Sequence, residues 1–143
     1  MFRYQLLIEY DGTNYIGWQS QPKGISIQNT IEKKLSKLLK EKIKLIGSGR
    51  TDRGVHAVSQ SAHFDTKKKI NNKFKFLNSI NYFLKKNLIT ITDIKIRNNK
   101  FHSRYSAKKR IYKYVILNRN SRPSLQLNRA WFVIKHLDIK KIK

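Results

Sequence analysis

Asp52 is the residue in this chain best suited to chemistry. It is one of only eight carboxylates among 143 residues, and it lies in Gly47-Ser48-Gly49-Arg50-Thr51-Asp52-Arg53-Gly54-Val55-His56-Ala57, which holds three of the six glycines. Arg50 and Arg53 flank it, and nearby positive charge favours the carboxylate form. A fixed carboxylate in basic surroundings suits attack on, or charge stabilisation at, a sugar carbon of a nucleic acid. The plainer reading is a turn, since Asp and Gly are common turn residues and a surface Asp beside arginines is ordinary. Arg50 and Arg53 alone fit phosphate contacts or solvated charges. His56 fits a catalytic acid or, more commonly, a hydrogen-bonded structural residue at a strand edge; the structural role is expected here.

Two strands must hold this loop. Ile43 to Ile46 is an apolar run that reads as one, and His56 to Phe64 reads as the next. Val58, Ala62 and Phe64 share a face with His56 and Gln60, a mixed pattern that fits a central strand. Upstream, Phe2 to Glu9 is apolar and β-prone, followed by a loop from Tyr10 to Gly24 with a turn signal at Asp11-Gly12. Tyr15 and Trp18 in that loop fit core plugs or stacking surfaces, and core is the commoner fate. Ser26 is placed to cap a helix whose apolar face is Ile27, Ile31, Leu35, Leu38 and Leu39; Lys33, Lys34, Lys37 and Lys40 then form a solvated face.

Further on, 65–72 reads as a polar loop, and Asn71 or Asn72 caps a second helix expected to turn Phe74, Leu77, Ile80, Phe83 and Leu84 inward. Leu88 to Ile96 alternates as a strand, with a slip near Asp93 that suggests a bulge. The order β-α-β-β-α-β predicts an α+β, ferredoxin-like domain with an antiparallel sheet. Extra strands are expected over Arg110 to Asn118 and Ala130 to Ile134, with Pro123 in the turn between them. In the first of these, alternation puts Tyr112, Tyr114 and Ile116 on one face. His136 to Lys143 reads as a weak helix start.

The length fits one domain over 1–143 with a real core. A formal charge of +24 points to a polyanionic partner, most simply nucleic acid. Lysine supplies most of the excess and accompanies abundant Asn and Ile, a composition that an AT-rich genome also produces. The nine arginines are more informative, because guanidinium groups grip phosphates and stack on bases. There are no cysteines, which excludes disulfides and zinc-thiolate sites and fits a reducing cytoplasm. The four His have no metal-ligand spacing and no metal is expected; no apolar run is long enough to span a membrane.

The run Gly49 to Ala57 resembles the active-site signature of the tRNA pseudouridine synthase A family. Two more blocks carry the same resemblance in the same order. Glu9-Tyr10-Asp11-Gly12-Thr13-Asn14-Tyr15-Ile16-Gly17-Trp18-Gln19 is similar to that family's amino-terminal motif. Phe101-His102-Ser103-Arg104-Tyr105-Ser106-Ala107, followed by Arg110-Ile111-Tyr112-Lys113-Tyr114, is similar to a third. The resemblance implies a cofactor-free isomerisation of uridine to pseudouridine at positions 38–40 of the tRNA anticodon arm, by a homodimer in the cytoplasm. It implies that Asp52 is the catalytic carboxylate, as nucleophile or as base. It implies that Tyr112 lies beside the uracil, where a phenol ring can stack on a displaced base, and that Arg104 and His102 meet the RNA backbone or the displaced nucleotide. The chain departs from the family in length, matching its amino-terminal half. The half it does not match supplies the other cleft wall and a basic partner for the aspartate. An RNA-binding module without activity is therefore the alternative for this stretch alone, with Asp52 half exposed.

Overall fold

The computed structural model describes residues 1–142, which form two compact units, 1–108 and 109–142. In the first unit the elements are β1 (Phe2–Tyr10), α1 (Ile27–Leu39), β2 (Ile46–Gly47), β3 (Ala57–Thr66), α2 (Lys73–Leu84) and β4 (Ile89–Arg97). The strand order is β2-β3-β1-β4, with every neighbouring pair antiparallel. This is the expected α+β, ferredoxin-like arrangement, a split pair of β-α-β units.

One face of the sheet is the core. Alternation along β1 buries Tyr4, Leu6, Ile8 and Tyr10; β3 adds Ala62 and Phe64, and β4 adds Ile89, Ile91 and Ile94. Ile91 and Ile94 are three residues apart yet share a face because the β1–β4 register slips: Leu7 pairs with Asp93 and Ile8 with Ile91, so Thr92 is the extra residue of a bulge. The helices cover this face. The Ser26 hydroxyl caps α1 by accepting from the Asn29 N–H at 3.2 Å, and Ile27, Ile31, Leu35 and Leu39 are buried at helical spacing. Asn72 caps α2 through Lys75 N–H at 2.8 Å.

Some local expectations are corrected. In α2 the inward residues are Phe76, Ile80 and Leu84, four apart, whereas Phe74 is exposed on the opposite side of the helix. Ile43 and Leu45 are buried but do not join a ladder. Their backbone N–H groups are taken by α1: Ile43 donates to Ser36 Oγ at 2.9 Å and Leu45 to Glu32 Oε1 at 2.8 Å. Only Ile46 and Gly47 remain to pair with β3, against His63 and Ala62.

In the second unit, β5 (Ile116–Asn118) and β6 (Trp131–Val133) form a parallel two-stranded ribbon. The strand expected over 110–118 is therefore shorter, and Tyr112 and Tyr114 lie in an irregular, exposed segment before it. Of the helix start expected over 136–143, a 3₁₀ turn forms at Ile139–Lys141, with Asp138 accepting from Lys140 N–H at 3.0 Å. Lys143 lies outside the described residues.

Candidate active site

The loop between β2 and β3 is fastened at both ends and along its middle. On the ascending side, Ser48 N–H donates to Ser61 O at 2.7 Å, and Gln60 Nε2 donates to Gly49 O at 2.7 Å. Its middle lies on the loop that follows β1. Trp18 N–H donates to Thr51 O at 3.0 Å, Gly54 N–H to Tyr15 O at 3.4 Å, and the Tyr10 and Thr51 hydroxyls share a hydrogen bond of 2.8 Å. Two glycines make room for this approach. A Cβ on Gly17, whose φ is +121°, would meet Thr51 O at 2.6 Å, and a Cβ on Gly12 would overlap the Val55 carbonyl. The loop closes on itself where Val55 N–H donates to Asp52 O at 3.2 Å, with Gly54 in a left-handed conformation.

The support is itself buried. Trp18 fills the space over Gly47, where an added Cβ would stand 2.6 Å from its indole nitrogen, and tilts against Tyr10 with ring centroids 6.0 Å apart. Tyr15 is buried, which raises its hydroxyl pKa, and that hydroxyl donates to Asn87 O at 2.6 Å. Both aromatics thus take the core role rather than the stacking role. His56 ties the two loops together: its Nδ1 lies 3.1 Å from Gly12 N–H and 3.2 Å from Asp11 Oδ1. Nδ1 accepts the hydrogen of the Gly12 amide. This is the structural role expected of it.

Asp52, Arg50 and Arg53 are all exposed at the crest of the loop. Among the described residues, neither arginine forms an ion pair with Asp52. The chemistry available there is that of a carboxylate on rigid, glycine-shaped backbone, with two cations on the same loop to receive phosphates.

The segment after β4 forms a second cluster on the polar face of the sheet. Arg3 holds Asp65 with two hydrogen bonds, at 2.8 and 2.6 Å, and donates through Nη1 to the carbonyls of Asn99 at 2.8 Å and Phe101 at 2.7 Å. His63 is buried beneath the segment, where its Nδ1 accepts from Ser103 N–H at 3.1 Å and lies 3.1 Å from Ser103 Oγ. Burial, with Arg3 and His102 nearby, pushes the His63 imidazolium down to about 4. His102 packs on His63 at 4.8 Å between ring centroids and on Tyr105 at 4.3 Å; Arg104 lies over the Tyr105 ring at 5.9 Å.

His102 and Arg104 are therefore brought together, but at the level of His63. That residue pairs with Ile46 at the β2 end of the Asp52 loop and is six positions along β3 from Ala57, roughly 20 Å of extended strand from the level at which Thr51 is bonded to Tyr10. Tyr112 belongs to the second unit and is exposed there. Sequence reasoning passed over Arg3, His63 and Asp65. The available signal was four polar residues at alternate or facing strand positions, Arg3 opposite Asp65 and Gln5 opposite His63. Among the described residues no group of three His, Asp or Glu side chains could hold a metal ion, and no helix is long and apolar enough to cross a membrane.

Comparison with known proteins agrees with the residue blocks. The profile of a family described as tRNA pseudouridine synthase matches residues 6–106. The tRNA pseudouridine synthase A of Pelagibacter ubique (strain HTCC1062) is 62% identical over 100% of this chain and 58% of its own length. Those of Caldicellulosiruptor bescii (48% identical, 94% of this chain and 54% of the relative) and Orientia tsutsugamushi strain Boryong (36%, 97% and 62%) are similar over nearly the same range. The chain spans somewhat over half the length of these curated relatives. On the extent of these matches, the chain belongs to the tRNA pseudouridine synthase family.

Proposed function

We propose that this chain carries the catalytic loop of a tRNA pseudouridine synthase that converts uridine to pseudouridine at positions 38–40 of the anticodon arm. The observation that carries the reading is the exposed carboxylate of Asp52 on a loop seated backbone to backbone on the 11–18 segment. A loop meant only to turn has no need of that support. In the reaction the bond between uracil N1 and ribose C1′ breaks, the base turns, and C5 bonds to C1′. C5 loses a proton and N1 gains one, so atoms balance without a cofactor. Asp52 serves as the carboxylate at the sugar, either adding to a carbon or removing a ribose proton.

Positioning is the remaining task. The target base leaves its stack at a cost of a few kcal/mol. Tyr112 offsets this by stacking on the uracil, and Arg50, Arg53, Arg104 and His102 hold phosphates or the displaced nucleotide. The net charge of +24 favours tRNA as partner over a neutral ligand. The protein works in the cytoplasm as a homodimer.

The exposure of Asp52, with no ion-pair partner among the described residues, favours a second reading for this stretch on its own: an RNA-binding module without turnover. Pseudouridine formation on an unmodified tRNA transcript separates the two. The chain and its Asp52→Ala variant are compared as they stand and when extended to the length of the relatives. The enzyme reading expects product from the extended chain and none from its Asp52→Ala partner, with tRNA binding retained in both. Binding without product from the extended chain would leave the module reading.

A further inference from the structure

Five tyrosines lie in the first unit. Tyr4, Tyr10 and Tyr15 are buried, Tyr82 is exposed on the outer side of α2, and Tyr105 is 77% exposed beside the cluster after β4. Its exposure is not that of a loose surface ring. His102 packs against it at 4.3 Å with 31° between the planes, and His102 rests in turn on the buried His63. The backbone beneath is locked: Ser106 N–H donates to His102 O at 2.7 Å, His102 N–H to Ser106 Oγ at 3.0 Å, and Arg104 N–H to His102 Nδ1 at 3.2 Å. Cations surround the array, with Arg104 over the Tyr105 ring and Arg97 over the Phe101 ring at 5.1 Å.

We propose that Tyr105 is a stacking platform for an unpaired RNA base, separate from Tyr112. The proposal rests on the RNA-modifying reading above. An aromatic ring with two rotatable side-chain bonds, braced from behind and open in front, loses little entropy when a base lands on it. Every base offers a π-face, so such a platform grips without reading sequence, and flanking guanidinium groups take the adjoining phosphates. The ring lies on the polar face of the sheet at the level of His63, whereas Thr51, next to Asp52, is bonded to Tyr10, which pairs with Ala57 six positions along β3 from His63. The base on Tyr105 is therefore a neighbour of the target and not the target itself.

The test is binding of an unmodified tRNA transcript across a salt series by the wild-type chain, Tyr105→Phe, Tyr105→Ala and Arg104→Gln, with a melting curve for each. Loss of one stacked base weakens binding by roughly 5- to 150-fold. Tyr105→Ala is expected to show that loss with an unchanged slope of log K against log salt, because no charge is removed. Tyr105→Phe keeps the ring and recovers the affinity. Arg104→Gln gives a shallower slope. Binding by Tyr105→Ala equal to wild type, or equal loss in the Phe and Ala variants, overturns the platform. If wild type binds and its extended form modifies tRNA while Tyr105→Ala matches it, the platform alone falls. If wild type does not retain tRNA, the RNA reading of the chain falls with it.

Discussion

Gly17 and Thr51 touch through their backbones: a side chain on Gly17 would begin 2.6 Å from the Thr51 carbonyl oxygen, one residue before Asp52. Trp18, the next residue, donates its N–H to that same oxygen at 3.0 Å. The position of the candidate catalytic carboxylate is thus decided by a residue 35 places earlier that has no side chain.

Gly17→Ala is expected to destabilise the fold by about 2–4 kcal/mol, combining left-handed backbone strain with a clash against backbone that cannot swing away. Gly54→Ala is the control. Its φ of +79° carries a strain of about 1 kcal/mol, but nothing lies within 4 Å of the added carbon. Urea titration of both variants measures the difference. Equal losses would mean that the contact with Thr51 is not what holds the loop.

Tyr15 joins the Asp52 loop to the corner between α2 and β4. Its carbonyl accepts from Gly54 N–H and its hydroxyl donates to Asn87 O, while Asp11 N–H reaches Leu88 O at 3.0 Å. Tyr15→Phe keeps the buried ring and leaves the Asn87 carbonyl without that donor. The expected cost is about 1–2 kcal/mol, read as a lower melting midpoint. No change in midpoint would show that water replaces the phenol without penalty.

The buried His63 makes stability fall in mild acid. Its folded-state pKa of about 4 lies below the ordinary 6.5, so the unfolded chain binds more protons between those values. Stability is therefore full above pH 6.5 and declines as the pH falls towards 4, by roughly 1–3 kcal/mol. Asp65 adds a second loss at lower pH. The hydrogen bond from Arg3 holds its carboxyl below the ordinary 3.8, so its contribution is present above that value and is lost as pH falls through the depressed one. Urea midpoints from pH 7 to 3 should show a slope between pH 6.5 and 4 that His63→Gln flattens. An unchanged slope in that variant would assign the titration elsewhere.

Much of the fold was legible because it follows from local periodicity. Ile27, Ile31, Leu35 and Leu39 repeat at helical spacing behind Ser26, and Tyr4, Leu6 and Ile8 alternate. The slip near Asp93 was visible as a break in alternation, and the structure makes it a bulge at Thr92. The order of elements then left few topologies, and the observed sheet is the one expected. What failed locally failed for reasons of competition. Ile43 and Leu45 have strand composition, but Ser36 and Glu32 took their N–H groups first. Phe74 is apolar, yet Phe76 holds the helical phase of Ile80 and Leu84.

The sequence by itself determined the core-forming periodicity, the element order, the basic charge and the three residue blocks that carry the family resemblance. Each is a property of residue types at short spacing. Only the tertiary structure decided that the 9–19 block is the seat of the 49–57 block. It also decided that Trp18 and Tyr15 are core, that Arg3 staples the 99–101 segment to β3 through Asp65, and that His63 braces His102. Those contacts join residues 33 to 98 positions apart. They depend on register and on close backbone approach, which appear only once the sheet has formed.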